Sequence, residues 1–213
     1  MSNAAPINTR AADAGRRDAS VSPHSGTPSR ANVSVLVGLA AVIFSLLYFA
    51  SDVVEAVQGE FSTPQLAMTY AAEAAIPFFV LGLFVVQRPR IGWLGFGGAL
   101  AYAYAYVFFA STVVYALVNS TPDFDTLSDE MGAWIPVHGA IMVLAGLAFG
   151  TAVIRARVLP AWTGLALIAG VVLVAAASGA PEIAQTASAG VRDLAFLGMG
   201  AALLSGASRQ NAR

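Results

Sequence analysis

Six apolar runs, each long enough to cross a bilayer as a helix, fill the sequence between residues 32 and 206. They cover about 32–54, 65–87, 91–118, 132–154, 160–178 and 184–206, with short polar breaks between them. A spanning helix needs roughly 20 predominantly apolar residues. The expected fold is therefore an all-α integral membrane protein: six transmembrane helices in a compact bundle with short loops, over residues 31–206. Residues 1–30 are polar, rich in Ser, Ala, Asn, Pro and Arg, and read as a disordered tail. Residues 207–213 read as a short C-terminal tail. The apolar part of a signal peptide is about 7–15 residues long. The first run exceeds that and predicts an uncleaved helix.

Composition closes off other classes. Charged residues make up 11% of the chain against about 25% in a typical soluble domain, and mean hydropathy is +0.71. That excludes a soluble globular domain. A net charge of −1 gives no basic surface for nucleic acid. With no cysteine there is no disulfide scaffold and no thiolate metal site. The two histidines, His24 and His138, are too few for a histidine-rich metal centre, so no metal and no cofactor are expected. All 11 basic residues are Arg, and Ala is abundant, which fits a GC-rich bacterial coding bias.

Charge order predicts the orientation. Arg16, Arg17 and Arg30 precede the first run, and Asp52, Glu55 and Glu60 follow it. Arg88 and Arg90 come next, then Asp123, Asp125, Asp129 and Glu130, then Arg155 and Arg157, then Glu182, and finally Arg209 and Arg213. Arginine and acidic breaks alternate without exception. The positive-inside rule then predicts an inner (cell) membrane protein with both termini cytoplasmic. Trp93 and Trp162 at inner ends and Trp134 at an outer end suit interfacial anchors.

Helices in lipid associate through small residues and polar contacts. Gly146 and Gly150 form a GxxxG pair on the fourth run and suit packing within the chain or a homo-oligomer. Pro77, inside the second run, cannot donate to the Glu73 carbonyl and predicts a kink.

Ionisable residues within or beside the runs are few: Asp52, Glu55, Glu73, His138, Arg192 and Asp193. With the expected orientation all six fall in the outer half of the membrane. Glu73, His138, Arg192 and Asp193 lie roughly 9–12 Å below the outer boundary at 1.5 Å per residue. A charge facing lipid at that depth costs about 2.5–3.5 kcal/mol or more. These side chains are therefore expected to face one another or a water-filled cavity. The simplest arrangement pairs Arg192 with Glu73, or Asp193 with a neighbour. Arg192 and Asp193 point about 100° apart on a helix and need not pair. The candidate site is an outward-open pocket whose floor lies near Tyr102, Tyr106 and Phe109, with Trp134 and His138 on one wall and Tyr70, Glu73 and Pro77 on another. The acids at 123–130 lack the spacing of a calcium-binding loop.

Three functions suit this layout. The first is a non-enzymatic membrane protein that binds, senses or helps move a small ligand or ion. The second is a membrane-embedded acid-catalysed cyclase or isomerase on a lipophilic substrate, with Glu73, Asp193 or Asp52 as the acid. The third is a structural or accessory subunit. Several acids in a wet funnel would favour the first, one acid in an apolar cavity the second, and no cavity the third.

Overall fold

The structure, a computed structural model, describes residues 30–211. The tail expected over residues 1–30 lies outside the described residues except for Arg30, where α1 begins, as do residues 212 and 213. Seven helices and no strand are present among the described residues: α1 (Arg30–Gln58), α2 (Thr63–Val86), α3 (Gly92–Asn119), α4 (Phe124–Met131), α5 (Trp134–Ala156), α6 (Ala161–Ala176) and α7 (Glu182–Asn211). Five of them, α1, α2, α3, α5 and α7, are long and apolar enough to cross a membrane. The fifth run forms α6, of 16 residues. At 1.5 Å per residue that is about 24 Å, short of a hydrocarbon core of about 30 Å. Six full-length spans are thus not what the helix lengths give.

All long helices and α6 nevertheless occupy equivalent places. The six form a closed ring in the order α1, α2, α3, α5, α6, α7 and back to α1. Neighbours run antiparallel throughout. Glu55 meets Gln65 while Val37 lies against Gly82. Gly146 faces Val171 while Gly150 faces Gly164. Gly170 lies on Arg192 while Gly198 lies on Trp162, and Gly38 meets Gly200 while Phe49 meets Gly190. A closed ring with every neighbour antiparallel requires an even number of helices.

Small residues set these approaches, as expected for helices that gain little from apolar contact in lipid. A Cβ on Gly150 would lie 2.8 Å from the Gly164 carbonyl oxygen, and one on Gly146 would lie 2.6 Å from Val171. The GxxxG face is thereby filled by α6 within the chain, the first of its two expected uses.

Aromatic side chains fill the ring at mid-height. Phe196 makes edge contacts with Phe79 at 5.4 Å and Tyr102 at 5.6 Å between centroids, and all three rings are fully enclosed. Outward faces carry exposed Leu36, Ile43, Phe78, Val107 and Leu165, which is apolar surface suited to lipid.

The acidic break at 119–131, expected as a loop, contains α4. The Asp123 side chain accepts from the Thr126 amide at 2.7 Å and caps that helix. The same amide holds the Asp123 carboxyl below its ordinary value. Leu127 then packs against Leu66, Val113 and Ala116.

Candidate functional site

The ring opens into a cavity of about 1050 Å³ at the end where α1, α3 and α6 finish and α2, α5 and α7 start. Above the aromatic layer the helices no longer fill the interior. One side of the cavity is polar, from Tyr48, Asp52 and Glu55 on α1, Gln65 and Glu73 on α2, and Arg192 on α7. The other side is apolar, from Phe109 and Val113 on α3, Met142 and Val143 on α5, and Val174 on α6. Near the mouth stand Asp123, Asp125 and Glu182.

The polar wall is a ladder between the antiparallel α1 and α2. The Gln65 amide donates to Glu55 Oε2 at 2.9 Å and to Thr69 Oγ1 at 3.1 Å. Thr69 Oγ1 donates to Ser51 Oγ at 3.1 Å. One level deeper, Tyr48 donates its hydroxyl proton to Glu73 Oε1 at 2.6 Å. Glu73 is 4% exposed, and its second oxygen, Oε2, has no hydrogen-bond partner. A buried carboxylate oxygen normally accepts at least one bond, so that atom is an unsatisfied acceptor on the cavity wall; Arg192 Nη2 and Asp193 Oδ2 likewise lack hydrogen-bond partners.

Arg192 sits opposite. Its Nε donates to Asp193 Oδ1 at 2.9 Å, its Nη2 lies 3.9 Å from Asp52 Oδ2, and its guanidinium carbon lies 4.6 Å from the centre of the Tyr48 ring. The expected Glu73–Arg192 ion pair is not formed. The long guanidinium side chain folds across the angular separation of adjacent helix positions and reaches Asp193 after all. Three carboxylates, those of Asp52, Glu73 and Asp193, thus share one guanidinium. Arg192 is the only basic side chain lining the cavity among the described residues.

Of the nine candidate residues, the structure brings Asp52, Glu55, Glu73, Tyr106 and Arg192 to one cavity. Asp193 is buried beside Arg192 but does not line the cavity, and Tyr102 lies in the layer beneath, its ring 5.1 Å from that of Tyr106. Trp134 and His138 lie elsewhere. His138 stacks on Phe108 at 3.7 Å, bonds the Trp134 carbonyl through Nδ1 at 2.9 Å, and contacts the Tyr104 hydroxyl through Nε2 at 3.3 Å. Trp134 is 64% exposed, and Tyr70 also points outward. Helical spacing groups Trp134 with His138 and Tyr70 with Glu73, but it fixes a shared face and not which way that face turns.

Sequence reading missed Tyr48, Gln65, Thr69 and Ser51. Their signal was polar spacing at facing ends: Tyr48, Ser51, Asp52 and Glu55 fall on one side of α1, and Gln65, Thr69 and Glu73 recur every fourth residue on α2.

Carboxylates and histidines are too dispersed to hold a metal ion: no group of three lies close enough among the described residues. The chain matches no family model, no curated protein and no solved structure. The site therefore stands on its own geometry.

Proposed function

We propose that the protein crosses the inner membrane six times, with both termini cytoplasmic, and that its outward-facing cavity binds a cationic species, which it senses or helps to move. The carrying observation is Glu73: a carboxylate enclosed within the ring, one oxygen unpartnered, in a cavity where acids outnumber the single arginine. Uncompensated negative charge in a low-dielectric interior is costly and is relieved by a positive ligand or a proton. The acids at the mouth add a field that draws cations inward. Several acids along the wall favour binding over the acid-catalysed reading, which calls for one acid in an otherwise apolar cavity.

The test is thermal unfolding of the purified full chain in detergent against a panel of monovalent inorganic and organic cations at fixed ionic strength. A ligand at 100 times its Kd stabilises by about 2.7 kcal/mol. At least one cation is expected to raise the Tm of the wild type and not that of Glu73→Gln. A Tm that is the same for every cation, or that rises equally in Glu73→Gln, overturns the proposal.

A further inference from the structure

The two-sided lining of the cavity narrows the ligand class. Resting on the cation-site reading above, we propose that the ligand is an organic monocation with an apolar body, a lipophilic ammonium or phosphonium, whose charge sits at Glu73 and whose body lies against Phe109, Met142 and Val143.

Five observations carry this. Arg192 Nε is bonded to Asp193 at 2.9 Å and its Nη2, without a hydrogen bond, lies 3.9 Å from Asp52, so the Glu73 carboxylate is the acid of this group with no ion pair of its own. Its free atom, Oε2, belongs to a side chain that lines the cavity and is 4% exposed. A hard inorganic cation such as calcium needs about six to eight oxygens to replace its water, and no three metal-ligating side chains converge here among the described residues. One carboxylate oxygen suffices for a diffuse organic cation, which is weakly hydrated and also attracted to aromatic faces. Tyr106 and Phe109, whose rings lie 5.9 Å apart, supply aromatic surface on the same cavity. Lastly, about 1050 Å³ lies just above the range of roughly 300–1,000 Å³ in which drug-sized ligands bind, and no inorganic ion would fill it.

The opposed walls also explain why charge alone is not the criterion. Met142, Val143 and Val174 offer nothing to a hydrated ion, whereas they remove the apolar body of an amphiphilic cation from water.

The experiment is equilibrium binding of radiolabelled tetraphenylphosphonium to the full chain in nanodiscs, with protein-free nanodiscs subtracted. Expected is saturable binding of one probe per chain, with tetramethylammonium competing at least about tenfold more weakly for want of an apolar body. Glu73→Gln is expected to lower the affinity by about tenfold or more, since a charge-assisted contact is lost. Phe109→Ala provides a second readout that leaves every acid in place: it weakens tetraphenylphosphonium more than tetramethylammonium, which loses only the contact of its charge with the ring. Tetraphenylphosphonium binding no tighter than tetramethylammonium, or binding indifferent to both substitutions, overturns the inference. If sodium or proton uptake depends on Glu73 while tetraphenylphosphonium does not bind, the organic ligand is wrong and the cation site stands. If no cation responds to Glu73→Gln, both fall.

Discussion

Arg192 is the one basic group among the buried acids, and its neighbours differ in how much they depend on it. Asp193 is bonded to it directly, Asp52 sits at the edge of ion-pair range, and Glu73 takes its hydrogen bond from Tyr48. Removing one partner of a buried ion pair typically costs about 3–5 kcal/mol, because the other charge is left without compensation. Arg192→Gln and Asp193→Asn are each expected to destabilise by that order, with a coupling of roughly 1–3 kcal/mol in the double variant. Glu73→Gln keeps an acceptor for Tyr48 and removes a desolvated charge, so its stability should be unchanged or higher, with little coupling to Arg192→Gln. Denaturant unfolding of the three singles and two doubles in detergent measures this. A larger coupling of Arg192 to Glu73 than to Asp193 would mean that the charge partition described above is wrong. The identities of these residues were legible in the sequence, because an ionisable side chain in an apolar run has few places to go. Their pairing was not, because it turns on how far a guanidinium can fold back along its own helix.

At the scale of the helices, run length and continuity made α1, α2, α3, α5 and α7 readable, while α4 was hidden in a polar break of only eight helical residues. Rotation about each helix axis was the harder quantity. In a soluble helix the apolar stripe marks the buried face. Here exposed Val137 and core-facing Phe149 are both apolar, so the stripe carries no phase, and it cannot tell that His138 and Trp134 do not line the cavity. Glycines hold that missing information. A Cβ on Gly170 would come within 2.5 Å of the Arg192 backbone, whereas one on Gly97, on α3, would meet nothing within 4 Å. Backbone cannot yield as a side-chain tip can. Gly170→Ala is therefore expected to separate α6 from α7 at the level of Arg192, destabilise by about 1–3 kcal/mol as overpacking does, and weaken cation binding. Gly97→Ala should leave both unchanged. Melting temperature and binding, read on the two variants side by side, check the assignment. Equal effects would mean that the α6–α7 contact does not set the geometry of the site.

For the whole molecule the open quantity is the path of α6. Its length alone argues against a full crossing, yet its place in the ring argues for one. Leu167 and Val171 are fully enclosed, and α6 lies antiparallel to both α5 and α7, which a helix lying along the surface would not do. A short helix in a bundle is accommodated by local thinning of the bilayer and by its longer neighbours, at a cost of fractions of a kcal/mol per ångström of mismatch. Arginines flanking its start, Arg155 and Arg157, and the acid after its end, Glu182, suit the same crossing. The chain contains no cysteine, so single reporters can be introduced without removing any native thiol. Ser120→Cys, Val158→Cys and Ser178→Cys all lie at exposed positions in breaks between helices and change no charge. With a membrane-impermeant maleimide on intact cells, Ser120→Cys and Ser178→Cys are expected to label directly and Val158→Cys only after permeabilisation. If α6 fails to cross, Val158→Cys and Ser178→Cys must label from the same side, and the C-terminus moves to the side opposite the N-terminus. That outcome would also turn the mouth of the cavity partly away from the outer surface, because α6 and α7 contribute Val174, Glu182 and Arg192 to its lining.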